Sequence, residues 1–116
     1  MSAVPIPTEI RLARSRRQLV VQFADGVEYA LPFEYLRVFS PSAEVRGHGG
    51  GEGKLVTGKS AVTITRIEGV GNYAVRLHFS DGHNTGLFTW PLLRELGAEH
   101  ARNWARYQAR VAAAAE

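Results

Sequence analysis

The chain has 116 residues, a formal net charge of +3, 45% apolar residues and no cysteine. That length makes one domain, and the absence of cysteine excludes disulfides, thiolate metal sites and a cysteine nucleophile. Twelve of the fourteen basic residues are arginine, but so small a net charge is not by itself a nucleic-acid footprint.

Residues 1–7 read as a flexible leader with two prolines and no apolar signal segment. Glu9–Ala13 alternates polar and apolar residues, as an edge strand does. Arg14–Arg17 is a polar turn. Gln18–Ala24 is rich in β-branched and aromatic residues and reads as a strand. Asp25-Gly26 predicts a two-residue hairpin turn, with Val27–Leu31 as the returning strand. Pro32 closes it, and Phe33–Phe39 is a short helix. Ser40–Ala61 has no apolar period and holds six glycines before Lys59. A loop of this length in a compact domain is usually functional or mobile.

Val62–Val70 resumes the strand pattern, with Val62, Ile64 and Arg66 on one face and Thr63, Thr65 and Ile67 on the other. Gly71-Asn72 turns. In Tyr73–Phe79, the side chains of Tyr73, Val75, Leu77 and Phe79 share a face, opposite Ala74, Arg76 and His78. A second Asp-Gly turn follows at Asp81-Gly82, and His83–Phe88 returns. Thr89 is an N-cap with Pro91 in the first turn of a helix over Trp90–Leu96. Gly97 ends or interrupts it, and Ala98–Ala115 continues as helix. Leu93, Leu96, Trp104, Tyr107 and Val111 form a stripe that could dock on the sheet.

The chain repeats itself. Phe23-Ala24-Asp25-Gly26, then Leu31 and Leu36-Arg37, matches Phe79-Ser80-Asp81-Gly82, then Leu87 and Leu93-Arg94. Both copies are a strand, an Asp-Gly turn, a second strand and a helix. Turn chemistry accounts for both aspartates: the carboxylate accepts from nearby amides and glycine supplies the backbone angle.

Other patterns invite chemistry. Gly53–Ser60 matches the phosphate-loop spacing, which needs a strand before and a helix after; a glycine run precedes it and a strand pattern follows, so nucleotide binding is not expected. The histidines His48, His78, His83 and His100 lack helical metal-ligand spacing. His48 and His83, with Glu44 assisting, could still meet as a metal site formed between loops. Arg102, Arg106 and Arg110 recur every four residues, which is read as a solvated helix face.

Three segments carry a family resemblance: Leu36–Val45, Val70–Val75, and Asp81-Gly82-His83 with Gly86–Trp90. They resemble DUF971, a small bacterial domain of unknown function similar to the N-terminal domain of gamma-butyrobetaine hydroxylase and trimethyllysine dioxygenase. The resemblance covers about residues 8–108. In those hydroxylases it implies a structural zinc, whose ligand positions correspond here to Ser40, Ser42, Val45 and His83. Two hydroxyls, a valine and one imidazole are a poor zinc set, so no cofactor is expected. Zinc or another divalent ion at His83 remains the alternative. The hydroxylases' iron- and 2-oxoglutarate-dependent domain has no counterpart in this chain. Similar domains attached to ATPase-type iron–sulfur carriers imply an accessory role near cofactor assembly.

These readings combine into one expectation. The fold is α+β: antiparallel hairpins in one or two small sheets, short helices, and a C-terminal helix packed on them. Residues 8–110 form the domain, residues 40–61 are its glycine-rich loop, and residues 111–116 are a frayed tail. No catalytic residues are expected. The protein is expected to be a cytoplasmic, non-enzymatic accessory module with a protein partner, not a membrane or nucleic acid. Tyr73, His83 and Trp90 are the expected interaction surface.

Overall fold

The fold, a computed structural model, describes residues 5–41 and 55–114. The elements run β1 (Pro7–Ala13), a 3-10 turn (Arg14–Arg16), β2 (Gln18–Phe23), β3 (Glu28–Pro32), α1 (Phe33–Val38), β4 (Ile64–Val70), β5 (Ala74–Phe79), β6 (Leu87–Thr89), α2 (Trp90–Ala98) and α3 (His100–Ala114). β1-β2-β3 form one antiparallel sheet and β4-β5-β6 another. The fold is therefore α+β with two small sheets.

The repeat extends beyond the segments visible in the sequence: each copy is three strands and a helix. In both, the first strand bulges at the same place, where Pro7 faces Phe23 and Ile64 faces Phe79. The bulged threonines behave alike. Thr8 Oγ1 donates to the Gln22 carbonyl at 3.2 Å, and Thr65 Oγ1 to the His78 carbonyl at 3.1 Å. The backbone agrees as well: Ala24 N–H donates to Ile6 O at 2.9 Å, and Ser80 N–H to Thr63 O at 2.8 Å.

This second bulge corrects the phase read for residues 62–70. An extra residue in a strand turns the following side chains over. Ile64 and Ile67 therefore both reach the core; strict alternation placed them on opposite faces.

The hairpin loops also differ from expectation by one residue. Phe23 N–H bonds Val27 O at 2.8 Å and Gly26 N–H bonds Phe23 O at 3.0 Å, so the loop is Ala24-Asp25-Gly26. Phe79–His83 and Gly82–Phe79 repeat the pattern, both at 3.0 Å. These are three-residue loops closing on a left-handed glycine, with φ of 91° at Gly26 and 88° at Gly82.

Both copies contribute to one core. Leu19, Val21, Phe23, Leu31 and Leu36 come from the first, and Ile64, Leu77, Phe79, Phe88 and Leu93 from the second. Burying each such side chain contributes roughly 1.5–3 kcal/mol before entropy is subtracted. Thr89 caps α2, its Oγ1 accepting from Leu92 N–H at 3.3 Å. Gly97 lies inside α2 rather than ending it. A Cβ there would sit 2.2 Å from the Tyr29 ring, so glycine lets the helix approach β3.

α3 docks on α1 through aromatic rings rather than across a sheet. Trp104 meets Tyr35 edge-on at 6.1 Å, Tyr107 meets Phe39 at 6.5 Å, and His100 lies 4.4 Å from Tyr35. Burial lowers the His100 pKa, which keeps the ring neutral against these apolar neighbours. Among the described residues no helix is long and apolar enough to cross a membrane.

Candidate functional site

The two copies hold each other by reciprocal ion pairs. Arg37, at the end of α1 in the first copy, donates Nε–H to Asp81 Oδ2 in the second at 2.8 Å. Arg94, in α2 of the second copy, donates Nη1–H and Nη2–H to Asp25 in the first at 3.1 and 2.8 Å. Residue i touches j and the equivalent of j touches the equivalent of i, the relation found across a two-fold interface. The turn chemistry is also as expected: Asp25 Oδ1 accepts from Val27 N–H at 3.3 Å and Asp81 Oδ1 from His83 N–H at 3.1 Å. Composition and turn signals gave no indication that each aspartate serves both its own turn and the other copy's helix. The matched Leu-Arg pairs at 36–37 and 93–94 were the available signal.

The symmetry breaks in one place. Where the first copy has Val27, the second has His83. Where the second has Gly97, the first has Ser40. Ser40 and His83 meet, Oγ to Nε2, at 2.8 Å. They are buried, 0% and 8% exposed. Gly86 allows this: a Cβ there would lie 2.2 Å from Ser40 Oγ and 3.0 Å from Pro41 Cδ.

Asp81 also has a partner with no equivalent at Asp25. Lys59 Nζ reaches its Oδ2 at 2.7 Å. Burial of the Asp81 carboxyl opposes its ionisation. The Lys59 ammonium, the His83 amide and the Arg37 guanidinium outweigh that and hold it well below the usual carboxylate range. At Asp25, the Arg94 hydrogen bonds chiefly lower the pKa, against a smaller desolvation effect.

Lys59 is the lysine of the phosphate-loop spacing. Ala61 to Thr63 lead into β4 and not into a helix, so the geometry that cradles phosphates is missing. Residues 53 and 54 lie outside the described residues. The later part of the glycine-rich loop is pinned at several points. Tyr107 Oη donates to Val56 O at 2.9 Å, Arg17 Nη2 donates to the carbonyls of Ser60 (3.1 Å) and Val62 (2.5 Å), and Ser80 Oγ accepts from Thr63 N–H at 3.0 Å.

Of the expected surface residues, Tyr73 and Trp90 adjoin. Trp90 N–H bonds Tyr73 O at 3.2 Å and its Nε1–H bonds Asn72 O at 2.9 Å. Tyr73 is 50% exposed, in the turn and not on the core face of β5. His83 lies past the far end of β5, a six-residue strand spanning about 17 Å. The three therefore do not line one groove. Of the proposed metal ligands, Glu44, His48, Ser42 and Val45 lie outside the described residues. No cluster of three metal-binding side chains occurs among the described ones. His78 Nε2–H donates to Glu68 Oε1 at 3.0 Å, and Arg102 pairs with Glu99 at 3.3 Å.

The two described positions of the family's zinc set fit an ion poorly. Ligands on a shared tetrahedral zinc sit about 3.5 Å apart, given metal–ligand distances near 2.1 Å. Ser40 and His83 are at direct hydrogen-bond distance, and a neutral hydroxyl is a weak zinc ligand.

A small α+β domain with its polar groups spent on internal ties is the class that the geometry defines. The family described as gamma-butyrobetaine hydroxylase-like, N-terminal matches residues 10–94, and the chain belongs to it. A solution structure determined by NMR is 46% identical, covering all of this chain and 86% of its own, with a TM-score of 0.86. A second NMR structure is 42% identical, covering 98% and 90%, at 0.83. A crystal structure of a protein of unknown function from Acidithiobacillus ferrooxidans, belonging to the DUF971 family, is 48% identical over 80% of this chain and 93% of its own, at 0.68. No curated protein matches the sequence.

Proposed function

We propose that the protein is a non-catalytic accessory domain that presents its surface to a protein partner. The observation that carries this reading is the sealing of Ser40 against His83. A hydroxyl and an imidazole at 2.8 Å have the spacing of a nucleophile and its base, but Ser40 is 0% exposed and lies beneath Gly86 and Pro41. A substrate carbonyl could not reach Oγ without opening the core. Asp81 accepts from the His83 backbone and from two cations.

The proposed partner surface is the exposed turn at Gly71–Tyr73 with Trp90 beside it. A large amphipathic ring at half exposure supplies contact area at low entropic cost. Affinity capture from native-host extract should recover a reproducible protein that Tyr73→Ser loses while the fold is retained. Recovery of no reproducible protein, or capture indifferent to Tyr73→Ser, would contradict the reading.

The same proposal includes a metal-free Ser40–His83 contact. Protein purified without added metal should contain no stoichiometric zinc, and a chelator should leave the melting temperature unchanged. Stoichiometric metal that shifts the His83 ring signals would overturn it.

A further inference from the structure

The two copies are joined by side chains and not by strand pairing. β1-β2-β3 pair among themselves, and so do β4-β5-β6. Among the described residues, the backbone–backbone hydrogen bonds of turns and caps also stay within residues 5–41 or within residues 55–114. Each copy thus completes its own backbone pairing. What it lacks alone is cover for its half of the shared core, which another copy supplies.

Charge does not say which copy. Each carries both halves of the clamp, Asp25 with Arg37 in the first and Asp81 with Arg94 in the second. On ion pairs alone, a first copy suits another first copy as well as it suits a second. Size decides the matter. Leu31 faces Leu19 as Phe88 faces Val75, so Tyr29 and Gly86, two residues before them, occupy equivalent positions. Ser40 and Gly97 are equivalent in turn. These four residues form two reciprocal joints. A Cβ on Gly97 would lie 2.2 Å from the Tyr29 ring, and a Cβ on Gly86 would lie 2.2 Å from Ser40 Oγ. Phe23 meets Tyr29 edge-on at 6.3 Å, which holds the ring over Gly97. A first copy facing a first copy sets the Tyr29 ring against Ser40, where glycine is needed. A second copy facing a second sets Gly86 against Gly97 and leaves a void at each joint. Only a first with a second fills both joints without overlap, so the sizes act against like pairs.

We infer that the face between the copies is a recognition surface for the opposite copy of a second chain, with Tyr29–Gly97 and Gly86–Ser40 as its specificity determinants. Residues 42–54 tether the copies within one chain. A tether sets an effective concentration on the order of millimolar, so the matched native chain closes on itself. Exchange with a second chain takes over when the joint within each chain is mismatched and the joint between chains is matched. Such exchange of equivalent elements is a low-cost route from monomer to dimer.

Two full-length variants test this. Gly97→Tyr closes the recess on the second copy, and Tyr29→Ala removes the ring from the first. Each mismatches its own chain. Unfolded together and refolded at about millimolar concentration, they are expected to exchange copies. One half of the dimer then regains the native joint, and the other carries the ring on the opposite side. The expected product is a 1:1 heterodimer of twice 12.7 kDa by light scattering. It should melt about 5 °C or more above either variant alone. Both substitutions in one chain should also give a higher melting temperature than Gly97→Tyr by itself. A mixture that stays monomeric and melts as the sum of its parts overturns the inference. So does a double variant no more stable than Gly97→Tyr, or dimerisation of Tyr29→Ala by itself, which would mean that the clamps pair copies without regard to size.

Discussion

Replacing Asp81 by alanine is expected to destabilise the fold by about 3 kcal/mol, the low end of the range for breaking a buried ion pair. The side chain is 23% exposed, which moderates the loss, and Lys59 at 25% can reach water once released. Arg37 cannot: its side chain is 11% exposed. The variant therefore leaves two cations facing each other with no carboxylate between them, one of them without solvent. It also removes the acceptor for the His83 amide. Asp25→Ala at the equivalent turn should cost distinctly less, because the Arg94–Asp25 pair lies closer to solvent and water replaces the lost partner. Urea unfolding of both variants measures the difference. Equal losses would mean that the two clamps are energetically equivalent and that the extra partner at Asp81 contributes nothing.

Tyr35→Ala should be the more damaging substitution, at about 4 kcal/mol, in the range measured for deleting a buried aromatic ring. Tyr35 is 0% exposed and joins three helices. Its hydroxyl donates to the Leu96 carbonyl of α2 at 2.7 Å and accepts from Asn103 Nδ2 of α3 at 3.0 Å. Its ring packs against Phe39, His100 and Trp104. Burial raises its pKa, outweighing the Asn103 hydrogen bond, so the hydroxyl keeps its proton and its donor role. Tyr35→Phe separates the two contributions: it should cost about 1–2 kcal/mol, for the Leu96 carbonyl and Asn103 amide left without their partner. Faster amide exchange in α3 than in the sheets should accompany either change. A Tyr35→Ala variant as stable as the parent would show that α3 is not anchored through this ring.

Much of the architecture was legible because it rests on local patterns. Asp-Gly at 25–26 and 81–82 specified hairpins, and Thr89 with Pro91 specified the start of α2. What failed were features that depend on a distant neighbour. No alternation rule reveals the bulge at Thr65, because a bulge is a property of pairing with β5 and not of β4 alone. Gly97 read as either the end or an interruption of the helix, since glycine is a poor helix former; only the position of Tyr29 explains why it sits within α2. Lys59 read as part of a glycine-rich loop, although its partner Asp81 lies in the other copy's turn.

The candidate site was half legible for a related reason. Ser40 and His83 came from the family resemblance, and the structure places them in contact. The surface expected at Tyr73, His83 and Trp90 took in residues from both ends of β5, which lie about 17 Å apart. Comparing the two copies position by position would have marked Ser40 and His83 directly, since they stand where the partner copy has Gly97 and Val27.

The reciprocal clamp is tested most directly by the titration of the Asp81 carboxyl, followed by carbon NMR. With Lys59, the His83 amide and Arg37 in place, its midpoint should fall well below the ordinary value of 3.8. A carboxylate whose folded pKa is depressed stabilises the protein fully above its unfolded value and loses that contribution as pH drops toward the folded one. Stability attributable to Asp81 should therefore hold from neutrality down to about pH 4 and decline only in stronger acid. A midpoint at or above 3.8 would contradict the clamp.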